Sequence, residues 1–575
     1  MDKLRPRRGI GIVRIALAFW AFAEMPVVWA QVDTIQTNVP ALKDVFRNDF
    51  YIGCLLSYRH IGFPDDPYVP GQSPVVAPHG GYLVKFHMNS MSPGNNMKPQ
   101  YTVDIQASAL AYRNATTQAE RDSIDVHPIV RFNGDLIAQL NWAQRQGFTF
   151  RGHTLVWHSQ TPAAFFRSGY TDTGPRLTKE KMTQRLENYI KEIFRLIHEG
   201  WPGLLSAMDV VNEAVLDDGR DRTDSEWFRT FGDNSYVMKA FEFSRKYALL
   251  YGEIQIKLYY NDYNTHIPAK ADGIVRLCEP IYRAGYLDGI GMQEHDGLSY
   301  PTAEQWIASY DKFFPICDEM AVTELDVATG YASPPPEILQ KQANQYAQLF
   351  KCFVERSYFS GRGKIINVSK DGLNDQYTFK VNQSSSLWDA QNQCKPAFYA
   401  VVEVGINYNR LDSLLALVSG LSQEEYTPES WQRLVAAVSA ARAAMGRNYS
   451  VNESAAEALR QAREGLEDAI RSLERSATQV ASSGGRSPEG FQLEQNYPNP
   501  FNASTTIEFS LDEACEVQLS VYDLRGSIVW HMSGGRLLPG RHRLVLDGTS
   551  LASGTYVYRI VAGNREQARR LTVVK

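Results

Sequence analysis

Residues 207–219 read AMDVVNEAVLDDG, and this stretch decides the fold. The run MDVV suits a short buried strand, because Val and Met fit a pleated surface covered on both sides. It ends in Asn212-Glu213. A carboxylate at the end of such a strand is costly unless it is paired, hydrated or used. Taken alone, the stretch reads more simply as a strand that stops at the surface. What separates the two readings is whether other strands end the same way.

From about residue 45 to 410, short apolar runs alternate with longer amphipathic ones. The short runs are FYIGCLLS, YLVKFHMNS, FTFRGHTLVWH, AMDVVNEAV, IKLYYNDYN, DGIGMQEH, MAVTELDV and KIINVSKDGL, separated by patterns such as LENYIKEIFRLIHEGW and PPEILQKQANQYAQLFKCFVERS. Eight strands alternating with helices predict an α/β fold, a closed (β/α)8 TIM barrel. An open doubly wound sheet is the alternative, but no GxGxxG follows the first strand. Polar residues collect at the strand ends: Asn89, His153, Asn212-Glu213, Asn261-Asp262, Gln293 and His295, Glu324 and Asp326. In a barrel these ends open onto one face, where active sites sit. Glu213 therefore reads as functional.

The rest of the chain divides by composition. Residues 1–30 carry a basic start, an apolar run and VWA before Gln31, the pattern of a signal peptide cleaved near Ala30. A membrane anchor is the competing reading, and the run is short for one. Residues 31–410 hold the barrel. Residues 411–476, rich in Ala, Leu, Arg and Glu, predict a three-helix module. ATQVASSGGRSPEG (477–490) is a linker by composition. Residues 491–575 alternate apolar and polar at short spacing between Gly-rich turns, predicting a small β-sandwich. A chain cut near Arg410 is expected to keep the barrel.

A net charge of −5 argues against nucleic acid as a partner and leaves a neutral substrate open. The six cysteines, Cys54, Cys278, Cys317, Cys352, Cys394 and Cys515, form no CxxC pair, so a zinc site is not expected, and one or two disulfides stay open. GxSxG and a Walker loop are absent, and His153 and His158 lack HExxH spacing.

What remains is a pair of carboxylates, Glu213 after the fourth strand and Glu324 after the seventh. Two carboxyl groups flanking a glycosidic bond are the minimum apparatus for its hydrolysis. In TELDV, Glu324 and Asp326 share a strand face, and in GMQEH so do Gln293 and His295, because side chains alternate. A histidine beside a carboxylate can set its orientation and protonation.

In this order, RGHTLVWHSQTP, DVVNEA, LYYNDYN, GIGMQEH and VTELDV, with NSMSPGNNMKP before them, resemble glycoside hydrolase family 10, the endo-β-1,4-xylanases. The resemblance covers about residues 42–405. It implies Glu213 as general acid/base and Glu324 as nucleophile of a retaining double displacement, with carboxyl groups ~5–5.5 Å apart and no cofactor or metal. Glu213 must then start protonated. Asn212 would hold the sugar 2-hydroxyl, and His295, backed by Asp326, would position Glu324. Asn95, Lys98, His153, Trp157, Gln160 and Gln293 fall on the family's glycone side, and Tyr263 on its aglycone side. Four positions depart from the family pattern: Gly94 for an acidic residue, Met208 for a Trp, and Asp371 and Phe379 for two tryptophans that roof the sugar. Phe379 stays on the substrate-binding set as a smaller roof. These departures predict poor handling of short unbranched xylo-oligosaccharides and room for a side branch.

The tail, NYPNPFNASTTIEFSL followed by GTYVYRIVAG, resembles the C-terminal sorting domain of type IX-secreted proteins. That implies the type IX machinery as a partner, and release or outer-surface attachment. The expected protein is a monomeric, exported endo-β-1,4-xylanase acting on xylan or a related plant cell-wall polysaccharide. The alternatives are a retaining glycosidase for decorated xylan or another β-1,4-glycan, and a non-catalytic glycan-binding protein.

Overall fold

The computed structural model describes residues 35–57, 80–476, 490–502, 504–523, 526, 528–548 and 551–574. The expected signal peptide at 1–30 and all but the last residue of the expected linker lie outside them. The described chain forms two compact units. The first runs to Leu421 and resumes over Glu429–Leu473; the second comprises Ser422–Pro428 and Glu474 onward.

The first unit is built on nine parallel strands: β1 (Tyr51–Leu56), β2 (Ser90–Pro93), β3 (Thr149–Trp157), β4 (Leu205–Asn212), β5 (Lys257–Asp262), β6 (Gly289–Met292), β7 (His295–Gly297), β8 (Glu319–Ala328) and β9 (Ile365–Asp371). β1 to β6 pair in chain order, β6 pairs β8, β8 pairs β9, and β9 closes on β1. This is the closed eight-stranded barrel, with β7 a short continuation beyond β6 that pairs β8. Strands covered on both faces should be almost continuously apolar, and β4 is buried along nearly its whole length.

The intervening helices show how the sequence specifies them. Lys179–Gly200 starts where the Thr178 side chain accepts from the Lys181 N–H, capping one of the free donors of the first turn. Its buried apolar residues, Met182, Leu186, Tyr189, Ile190, Ile193, Phe194 and Ile197, recur at spacings of three and four, so one apolar stripe faces the barrel.

Two expectations need amendment. Most of YLVKFHMNS is not strand: Gly80–His87 is a helix, and β2 begins only at Ser90. Its buried residues Gly80, Gly81, Leu83, Val84 and His87 follow a helical rather than a two-residue period. The boundary at 410 falls inside one continuous helix, Pro396–Val418. The next two helices, Pro428–Gly446 and Ala455–Arg471, bury Leu434, Ala441, Leu459 and Leu466 in the same apolar cluster as the barrel. Asn344 Nδ2 in helix Pro336–Glu355 donates to Val451 O at 2.9 Å. These helices share the barrel's core.

The second unit holds two antiparallel sheets around their own core. β10 (Gln492–Leu493), β11 (Ser504–Leu511) and β14 (Gly540–Asp547) form one, and β13 (Ile528–Leu537), β12 (Cys515–Tyr522), β15 (Gly554–Ala562) and β16 (Arg565–Val573) the other. Val517, Leu519 and Val521 alternate inward along β12, as one buried face of a strand requires. All six cysteines are unpaired. No helix of the described residues is long and apolar enough to cross a membrane.

Candidate active site

The C-terminal strand ends surround a cleft of about 800 Å³ lined by Asn95, Lys98, Trp157, Glu213, Tyr263, Gln293, His295, Glu324 and Phe379, together with Gly94, Tyr300, Asp371 and Thr378. Asn212, His153, Gln160 and Asp326 stand behind this lining and bond to it or to its supports. The register sets the arrangement, since Trp157 lies opposite Asn212, Asn212 opposite Asn261, and His295 opposite Asp326.

Glu213 follows β4 with a backbone φ of 59°. A non-glycine residue there pays ~1–3 kcal/mol. The conformation is held by its N–H donating to Asn261 O at 2.9 Å and by Arg222 Nε donating to its carbonyl at 2.7 Å. Its carboxyl Oε1 accepts from Asn212 Nδ2 at 3.0 Å and Gln293 Nε2 at 2.9 Å, and Oε2 accepts from Trp157 Nε1 at 2.9 Å. His158 Nδ1 lies 3.6 Å from Oε2. Burial lowers the His158 pKa, against the opposing pull of Glu213.

Glu324 is only 8% exposed. Its Oε1 accepts from Asn261 Nδ2 at 3.1 Å, and its Oε2 lies 3.3 Å from His295 Nε2. The other ring nitrogen of His295 lies 2.9 Å from Asp326 Oδ2. A histidine between two carboxylates serves both only as the imidazolium, which donates from each nitrogen. Burial opposes that charge, but the bonds and charges of Asp326 and Glu324 outweigh it and raise the His295 pKa well above its ordinary value. Burial likewise pushes Glu324 upward, and the His295 bond with the charges of His153, His295 and Lys98 overcomes it, holding Glu324 at about 2.

The two carboxylates are joined through amides. Asn261 Nδ2 donates both to Glu324 and, at 2.9 Å, to Asn212 Oδ1, while Asn212 donates to Glu213. Thr323 Oγ1 donates to Asn261 Oδ1 at 2.8 Å and fixes which way that amide faces. Asn261 stood out in the sequence only as a polar strand end; its bridging place depends on three strands meeting and no linear pattern carries it.

Around this centre, Lys98 Nζ donates to Asn95 Oδ1 at 2.9 Å and Gln160 Oε1 at 3.0 Å, and lies 4.4 Å from the centre of the Trp157 ring. Burial lowers the Lys98 pKa against the pull of Glu324, Glu213 and Asp371. His153 Nδ1 lies 3.0 Å from Asp209 Oδ2, and Asp209 is gripped by Arg151 inside the barrel. That bond orients the imidazole. The Tyr263 hydroxyl accepts from Arg222 Nη2 at 3.0 Å, and the buried Lys270 ammonium sits 3.3 Å from its ring centre while paired with Asp262 at 2.9 Å. Arg222 and Lys270 carry no signal in the sequence, because they lie on segments outside the strand ends.

The family departures also have local accounts. A Cβ on Gly94 would sit 3.2 Å from Ser57 N and Oγ, so the β1 end occupies the space a side chain would start from. A Cβ on Gly152 would meet the Met208 side chain at 2.6 Å, so the two positions are fitted to each other. Among the described residues no cluster of His, Cys, Asp or Glu has the makings of a metal site.

A parallel barrel presenting two amide-linked carboxylates in one open cleft is built as barrel glycosidases are. The chain belongs to glycosyl hydrolase family 10, whose model matches residues 41–404. Residues 495–574 match the secretion system C-terminal sorting domain. Endo-1,4-beta-xylanase Y of Acetivibrio thermocellus is 34% identical over 393 residues, covering 65% of this chain and 33% of that protein. The bifunctional endo-1,4-beta-xylanase XylA of Ruminococcus flavefaciens is 33% identical, covering 57% of this chain and 32% of its own. The chain thus spans about a third of the length of these two relatives. A putative endo-1,4-beta-xylanase of Caldicellulosiruptor saccharolyticus is 33% identical and covered over 98% of its length. Among solved structures, the CBM22-1–GH10 modules of Clostridium thermocellum xylanase 10B, complexed with xylohexaose, align at 32% identity with a TM-score of 0.54, covering 64% of this chain and 68% of that one.

Proposed function

We propose that the protein is an exported endo-1,4-β-xylanase that cleaves internal bonds of xylan with retention of configuration. The observation that carries this reading is the pair Glu213 and Glu324, joined through Asn212 and Asn261 in an open cleft. Glu324, ionised far below neutrality, attacks the anomeric carbon while Glu213 delivers a proton to the departing glycosidic oxygen. A water then attacks the glycosyl ester, its proton passes to Glu213, and the sugar leaves Glu324 as the carboxylate. Oε1 of Glu213 takes two amide donors and Oε2 one, so Oε2 has the free site for the transferable proton. Glu324 is positioned by His295 and Asp326; Asn95, Lys98, His153, Trp157, Gln160 and Gln293 serve the glycone, Tyr263 the aglycone.

The similar proteins and the aromatic and amide lining support xylan as the substrate. Phe379, 73% exposed, supports a preference for decorated chains, because a sparse roof leaves space beside the sugar ring. The tail supports export, with release or surface attachment.

Reducing-sugar release from beechwood xylan, arabinoxylan and β-glucans, with early product anomers read by proton NMR, tests the reading. β-Anomers from xylans support it. α-Anomers overturn the retaining mechanism, and release from β-glucans alone overturns the substrate.

A further inference from the structure

β9 ends in Asp371, and the chain turns back at once. Gly372 has a φ of 60°, and a Cβ there would meet Tyr377 O at 2.0 Å and Thr378 Cα at 2.6 Å. The turn is closed by Leu373 N donating to Tyr377 O at 2.7 Å, and tied to the barrel by Gly372 N donating to Leu55 O at 2.7 Å. The returning segment of this loop is then caught by Asp371 itself. Its Oδ2 accepts from Thr378 Oγ1 at 2.8 Å and from the Phe379 N–H at 2.6 Å. Phe379 emerges with its ring 5.4 Å from that of His295, tilted by 42°, yet 73% exposed. One side of the ring is therefore set beside the histidine that holds Glu324, and the rest is open to the cleft.

An exposed phenyl ring at the mouth of a polar cleft presents an apolar surface to the C–H face of a sugar ring. The ring's own side chain makes no polar bond that could fix it. Beside its contact with the His295 ring, its place comes from the backbone, whose N–H at that residue is held by the Asp371 carboxylate, while the neighbouring Thr378 hydroxyl also lies 3.3 Å from Ser385 Oγ. The acid therefore ties down the segment that carries the exposed ring.

We infer that Asp371 is a positioning residue, which sets the depth of the glycone-side cleft by pinning Phe379 over the pyranose bound next to Glu324. The inference rests on the glycosidase reading for its substrate, and on hydrogen bonding alone for its mechanism. Oδ2 does the holding, so an amide oxygen in its place can still accept both donors, whereas a methyl group accepts neither.

The test compares Asp371→Ala, Asp371→Asn, Phe379→Ala and Asp371→Ala/Phe379→Ala in the full chain. On xylohexaose, Asp371→Ala should raise KM about tenfold while kcat falls by less than about threefold. Asp371→Asn should recover most of that KM. The double variant should be no worse than Phe379→Ala, since both changes remove the same contact. Amide hydrogen exchange over residues 372–381 should speed up in Asp371→Ala and not in Asp371→Asn. An unchanged KM in Asp371→Ala, multiplicative losses in the double variant, or unaltered exchange each overturns the inference. If the wild type leaves all xylans intact, the glycosidase reading fails by itself, and the exchange experiment still decides whether Asp371 holds the loop.

Discussion

Replacing His295 with alanine should move the acid limb of the activity profile, not merely lower its height. In the wild type, burial tends to neutralise Glu324, and the His295 bond leads the forces that keep it ionised at about 2. Removing the imidazolium leaves burial in place and leaves Asp326 nearby without its partner at 2.9 Å. An opposite charge 3.3 Å away is worth about 5 kcal/mol at an effective dielectric of 20. At about 1.4 kcal/mol per pH unit, and allowing for water entering the vacated space, the limb should rise by about two to four pH units. The sign follows from the proposed role: a nucleophilic Glu324 must be a carboxylate, so a raised pKa removes activity from the acidic side only. The assay is kcat/KM on an aryl β-xylobioside from pH 3 to 9, with near-ultraviolet circular dichroism at each pH to confirm the fold. Above neutrality the variant should approach the wild type more closely than at pH 5. A variant profile that is uniformly lower, with its acid limb unmoved, would refute the electrostatic account of Glu324.

Further expectations concern the bridge, the supports and the chain's division. Asn261→Ala deletes bonds to Glu324, Asn212 and Thr323; at ~0.5–1.5 kcal/mol for a neutral bond and ~1.5–3 for one to a charge, it should cost about 3–5 kcal/mol in urea unfolding and at least tenfold in kcat. Glu213→Ala should keep measurable glycosylation of substrates with good leaving groups, which need no proton, whereas Glu324→Ala should lose all turnover on them; similar residual rates would count against this assignment of roles. Removing residues 477–575 should leave activity on soluble xylan intact. Cutting at Arg410 instead discards the buried Leu411, Leu414 and Val418 and the two following helices, whose buried residues share the barrel's apolar cluster; at ~1.5–3 kcal/mol per buried apolar side chain, calorimetry should show a lower melting temperature for this chain than for one ending at Ser476.

The barrel was legible because its strands end alike. MDVV and MAVTELDV each carry apolar residues into a polar terminus, and closing eight such ends onto one face needs no information beyond their number. The same regularity pointed to both carboxylates and to His295 with Asp326, whose alternation on neighbouring strands survives as a bond. YLVKFH misleads as a strand because eight helical residues span barely two turns, too few for the period to separate. The boundary at 410 was invisible because the amphipathic pattern runs through it without a break, and a helix shows its apolar face without showing what covers it. Asp371 read as a lost tryptophan. Its partners Thr378 and Phe379 lie seven and eight residues on, across a turn that Gly372 alone permits, and only the folded loop brings them together. Asn261 is similar: a polar strand end by sequence, a bridge only once the closed barrel gathers the ends of β4, β5 and β8.

The central claim is that Glu324 forms the glycosyl ester with Glu213 as its acid. Incubation with a 2-deoxy-2-fluoro-β-xylobioside bearing an activated leaving group, which slows breakdown of the ester more than its formation, tests it directly by mass spectrometry of the intact protein and its peptic peptides. The account predicts one fluoroxylobiosyl adduct per chain, on the peptide containing Glu324, absent from Glu324→Ala and still formed by Glu213→Ala. An adduct on another residue, or steady hydrolysis with no adduct under any trapping condition, would contradict it.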